Sequence, residues 1–80
     1  MSEIVFVYKG KQHTGQIISS TNAEPHYHWF YFKDEVLSKM INDDCIGFKK
    51  KGNQLHPTKI YTSHFDLVEK VKSIVEQSIN

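Results

Sequence analysis

Arginine is missing from this 80-residue chain; all ten basic side chains are lysine. Arginine supplies the rigid fork that grips phosphates and guanine edges with paired hydrogen bonds, so its absence counts against a dedicated nucleic-acid binder. Nine acidic side chains bring the net charge to only +1, too little for phosphate neutralisation to drive binding. Cysteine is nearly missing too. Cys45 stands alone, so no disulfide can form within the chain. Small secreted domains commonly depend on such cross-links, and the expected compartment is the cytoplasm. The apolar run Ile4-Val5-Phe6-Val7 is too short for a signal-peptide core, and nothing approaches the roughly 20 apolar residues of a membrane span, so no membrane partner is expected. The templates of catalysis are also missing. There is no Gly-rich phosphate loop, no Gly-x-Ser-x-Gly elbow and no His-Glu-x-x-His pair, which points away from an enzyme and from any cofactor. With repeats, linkers and low-complexity tracts also lacking, residues 1–80 read as one domain. A chain of this length has little core to hollow out as a deep pocket.

What the chain does have is aromatic and β-branched residues in short runs. Residues 3–9 have the composition of a strand, and Lys9-Gly10-Lys11 supplies a turn with glycine where a positive φ is needed. A second strand over about 13–19 pairs back, followed by a loop over 20–25. Tyr27-His28-Trp29-Phe30-Tyr31-Phe32 is the strongest strand, too short and too aromatic for a helix. Alternation puts Tyr27, Trp29 and Tyr31 on one face and His28, Phe30 and Phe32 on the other. Both faces are bulky, which places this strand centrally and leaves open which face is buried.

Asp34 is positioned to cap a short helix from Glu35 to about Asn42. Val36, Leu37, Met40 and Ile41 fall on one arc of that helix. Cys45 to Lys50 then reads as a strand with Ile46 and Phe48 inward, turning at Lys51-Gly52-Asn53 into a strand over 54–56 that Pro57 stops. The last helix carries the stripe Leu67, Val68, Val71, Ile74, Val75 and Ile79. Ser63 and Asp66 resemble a capping box at its start, and Asp66 with Lys70 forms an (i, i+4) pair. The order β-β-β-α-β-β-α predicts an α+β two-layer sandwich: an antiparallel sheet of about five strands with two helices on one face.

Three constellations could carry function. In the first, helices on one face leave the other open, so Tyr27, Trp29 and Tyr31, with Lys33 on the same side, would present a binding surface. A homodimer through this face is the simplest version, and another protein is the other. Packing under a curled sheet is the competing explanation. In the second, Lys49-Lys50-Lys51 with Lys9 and Lys11 would add phosphate contacts to the aromatic strand, making a weak single-strand binder. Solubilising a hairpin tip explains the same lysines. In the third, His26 and His28 stand two apart, as a strand pair of metal ligands would, but without a third ligand at motif spacing. The alternative leaves His26 in a loop and His28 partly exposed at the sheet end. Cys45 would be an activated nucleophile only if the fold brought a histidine to it.

Overall fold

The computed structural model describes residues 3–79. Five strands and two helices follow one another as β1 (Ile4–Tyr8), β2 (Lys11–Ser20), β3 (Tyr27–Phe32), α1 (Glu35–Ile41), β4 (Cys45–Lys51), β5 (Gln54–Pro57) and α2 (Phe65–Ile79). All strands are antiparallel, and they hydrogen-bond in chain order β1-β2-β3-β4-β5 in one curled sheet. This is an α+β structure with the expected element order. β3 is the central strand, as its two bulky faces require.

The turns follow from local chemistry. Tyr8 pairs with Lys11, and between them Lys9 and Gly10 both take positive φ, 50° and 77°. That is the pattern of a type I′ turn, whose twist matches the strands it joins. At the other hairpin Gly52 alone is positive, at 60°, as a type II′ turn requires at its first central position.

Helix α1 starts as the sequence predicts. Asp34 is extended, and its Oδ1 accepts from the Leu37 N–H at 3.2 Å. Its other oxygen, Oδ2, lies 2.8 Å from Nδ1 of His13 on β2, so one carboxylate caps the helix and ties it to the sheet. The helix ends at Asn42 in the left-handed conformation, which asparagine tolerates better than most residues. Val36, expected on the buried arc, is 61% exposed; only Leu37 on this helix is fully buried. Val36 lies at the edge of the arc, about 100° round the helix from Leu37, and so faces solvent.

Helix α2 departs from expectation at its start. The N–H groups of Leu67 and Val68 both donate to the carbonyl oxygen of His64, and His64 has φ 58°. The helix therefore begins one residue later than a Ser63 cap would set it, and the Ser63–Asp66 capping box does not form. Asp66 is engaged elsewhere: it accepts a 2.8 Å hydrogen bond from the Tyr8 hydroxyl and lies 3.9 Å from Lys9. Its ion partner is thus the β1–β2 turn rather than Lys70.

One hydrophobic cluster joins Phe6 and Tyr8 of β1, Phe30 of β3, Ile46 and Phe48 of β4 and Leu55 of β5 to Leu37 of α1 and to Leu67, Val68, Val71 and Val75 of α2. These strand residues share one face, called inner below. Strand alternation sends Val5, Val7, Ile18, Tyr27, Trp29, Tyr31, Lys49 and Lys51 to the opposite, outer face.

Candidate functional site

The outer face is built around Trp29. It stands opposite Ile18 on β2 and Gly47 on β4. A Cβ on Gly47 would meet the indole at 2.8 Å and the Thr58 hydroxyl at 2.9 Å, so glycine lets the ring lie against the β4 backbone. Tyr27 stacks on it, with ring centroids 5.8 Å apart and planes 14° from parallel. Tyr31 lies opposite Gln16 and Cys45 and is 38% exposed. Lys33 continues the row and lies 3.7 Å from Glu3. Tyr27, Trp29, Tyr31 and Lys33 therefore lie together along one face.

Sequence reasoning missed further exposed apolar residues on this face: Ile18 adjoins Trp29, while Val5 and Val7 lie beyond Gln12, Thr14 and Gln16 of β2. Ile18 is 41% exposed, and Val5 and Val7 on β1 are 54% and 57% exposed. The alternation of β1 held the signal for the two valines, because Phe6 and Tyr8 are the larger apolar pair and take the core. Ile18 needed the β2–β3 register, which no local pattern gives.

The lysines divide. Lys49 and Lys51 share the outer face with Tyr27, and with His56, Pro57 and Thr58 they line a groove of about 420 Å³. Lys50 points inward on the same strand, opposite Leu55. Lys9 and Lys11 sit at the β1–β2 turn, at the far end of the sheet from the Lys49–Lys51 hairpin. No single basic patch unites all five.

The histidine pair also divides. His26 lies outside β3, with Nε2 3.3 Å from Glu24. His28 is 3% exposed rather than resting partly in solvent: its inward position opposite Phe48 and Ser19 closes it off. Its Nδ1 shares a 2.6 Å hydrogen bond with the Ser19 hydroxyl, and its Nε2 has no partner among the described residues. Burial, then the His26 and Lys50 charges, lower its pKa and keep the ring neutral. Among the described residues no group of three or more His, Cys, Asp or Glu side chains is placed to hold a metal ion.

Cys45 faces Tyr31 across β3 and β4. Burial first, and Asp43 second, raise its thiol pKa. An activated cysteine is shifted in the opposite direction. Asp43 is itself held low, chiefly by its hydrogen bond from Lys59, which ties the α1–β4 link to the segment before α2. Among the described residues no helix is long and apolar enough to cross a membrane.

The outer face thus carries ring faces, aliphatic surface and a lysine at each end. No protein family matches this chain, and comparison with curated proteins and with solved structures returns no match.

Proposed function

We propose that this protein is a non-catalytic interaction module that binds another protein, or a second copy of itself, through the outer face of its sheet. In this reading both helices form one layer over the inner face, the two-layer arrangement that leaves the outer face open. A cytoplasmic setting suits a chain with a single cysteine. One observation carries the reading: Val5, Val7, Ile18 and Tyr31 are all at least 38% exposed on the face that holds the Tyr27–Trp29 stack. Scattered exposed apolar residues are ordinary, whereas Ile18 beside the Tyr27–Trp29 stack, with Tyr31 on the same strand face, has the composition of contact surfaces. Lys33 would form part of the polar rim.

The test is the stability and self-association of Tyr31→Ser and Ile18→Thr. A binding face tolerates both, with unfolding free energies within about 0.5 kcal/mol of the parent. A loss of 2 kcal/mol or more, about the cost of truncating a core side chain, would show that the row is packing, and the reading would fall. Quenching of Trp29 by acrylamide across a dilution series identifies the occupant. Protection that disappears on dilution places a second copy on the face; constant accessibility leaves a different protein.

A second reading has one observation in its favour. Tyr27 stands beside Lys49, Lys51 and His56 in the groove, a stacking ring next to cations, as single-strand binders use. Titration of a labelled single-stranded oligonucleotide at low salt decides it. Binding whose logarithm falls with log salt at about −0.7 for each phosphate engaged, and that is lost in Lys49→Glu/Lys51→Glu, would support it. No shift at low salt removes it.

A further inference from the structure

The carboxylates of this chain are unevenly placed. All nine lie on the helices or outside the regular elements, and none of the five strands carries one. Residues 45–65 hold no aspartate or glutamate at all. Leaving histidine aside, the charged side chains on the strands are Lys11 of β2 and Lys49, Lys50 and Lys51 of β4. A net charge of +1 therefore hides a sheet whose fixed charge is all positive and concentrated at the β4–β5 hairpin.

At that end of the outer face a row of side chains crosses three strands. Tyr27 of β3 stands opposite Lys49 of β4, and Lys49 stands opposite His56 of β5. Lys51 follows on the same face of β4. With Pro57 and Thr58 they line the groove of about 420 Å³, a volume within the range of small-molecule sites. No carboxylate lines it. Lys9, Lys33, Lys39 and Lys59 each pair with an acidic side chain, whereas Lys49 and Lys51 form no ion pair among the described residues. Lys49 is also half-buried, which restricts its side chain and lowers the entropy lost in holding a ligand. Beside these cations lies a braced ring. Trp29 stacks on Tyr27 with centroids 5.8 Å apart and planes 14° from parallel, and Tyr27 in turn borders the groove.

We propose that this groove is a binding site for a nucleoside monophosphate, its base stacked on Tyr27 and its phosphate held by Lys49, Lys51 and His56. Lysine holds phosphate as a point charge and needs no arginine fork, while an aromatic ring accepts the face of any base. The Thr58 hydroxyl is placed to add a hydrogen bond. This inference rests on the groove of the second reading, but it asks for one nucleotide rather than a strand. Three strands at their usual spacing span about 10 Å, room for one base and its phosphate. The phosphates of a longer strand would meet no further unpaired cation on this face, because Lys33 is paired with Glu3 and Lys9 and Lys11 sit at the far end of the sheet.

Titration of the isotope-labelled full chain with AMP at low salt, followed by amide chemical shifts, tests the site. Saturable shifts are expected at Tyr27, Lys49, Lys51 and Thr58. Adenosine and inorganic phosphate, each carrying one part of the ligand, should bind about tenfold more weakly or worse. Lys49→Gln and Tyr27→Leu should each raise the AMP Kd about tenfold, with circular dichroism confirming the fold. Lys11→Gln and Tyr31→Ser should leave it unchanged. Absence of saturable shifts at millimolar AMP overturns the inference. Adenosine or inorganic phosphate binding as tightly as AMP does the same, and so does an equal loss from Lys11→Gln. An oligonucleotide that binds where AMP does not would also overturn it while leaving the strand reading in place; AMP binding without oligonucleotide binding supports it and removes only the strand reading.

Discussion

Single residues fix both faces of this sheet, and two glycines show how. At Gly15 an added Cβ would collide with the Phe30 ring and come within 2.7 Å of the Tyr31 carbonyl oxygen. Phe30 is fully buried and cannot yield, so Gly15→Ala should cost at least the roughly 1–3 kcal/mol typical of an overpacked core, read as a lower urea midpoint. Gly47 presses on Trp29 instead, and that ring is only half-buried. Gly47→Ala should therefore move the indole outward, red-shifting its emission and increasing quenching, with a smaller loss of stability. His28 makes a third residue-scale prediction. Its pKa is lowered in the folded state by burial, with the His26 and Lys50 charges adding to the effect. The unfolded chain, with a histidine pKa of about 6.5, then takes up the proton more readily. The stability this neutral ring allows is complete above about pH 6.5 and is lost as pH falls from there towards the lower folded pKa. Urea titrations between pH 7.5 and 5 should show that decline in the parent, and His28→Gln should flatten it.

The two helices contrast in how far the sequence reveals them. Asp34 ahead of an apolar arc announces α1, and the structure keeps both its cap and its Asn42 stop. The partner that makes Asp34 more than a cap was not legible, because His13 lies 21 positions away and is brought near only by strand pairing. Burial alone would raise the Asp34 pKa, but hydrogen bonds from His13 and the Leu37 N–H outweigh it and hold the carboxyl low. Asp34→Ala should cost about 1–2 kcal/mol, at or above the upper range for a cap, because it also strands a buried histidine. Asp34→Asn should keep most of the capping share. For α2 the apolar stripe was readable but the start was not. The His64 conformation and the Tyr8–Asp66 bond both depend on where the β1–β2 turn sits. Ser63→Ala should accordingly change stability by less than about 0.5 kcal/mol, whereas Asp66→Asn should weaken the link to β1, seen as faster amide exchange at the first turn of α2.

Across the whole molecule, alternation and turn chemistry were enough to foresee an antiparallel α+β arrangement with β3 at its centre. They also foresaw which side chains of β3 travel together, because a period of two is a local property. Alternation within β1 and β4 also held the signal for the outward Val5 and Val7 and for the inward Lys50, but it could not show that Ile18 stands beside Trp29, because that depends on register between strands. At this scale the outer face makes the prediction: replacing Tyr31 should change partner binding without altering the sheet, read as a weakened partner signal with an unchanged circular dichroism spectrum.

The strand order has a further consequence for how the sheet is assembled in time. Each strand pairs with the one just before it, so each new pairing closes only the short segment between them: Lys9-Gly10, the loop at 21–26, the stretch holding α1, then Gly52-Asn53. Closing a loop costs an entropy that grows slowly with its length, about 0.6 kcal/mol for each doubling. The five strands can thus zip in sequence without any distant segment being searched for, and only α2 must return across the finished sheet to close the core.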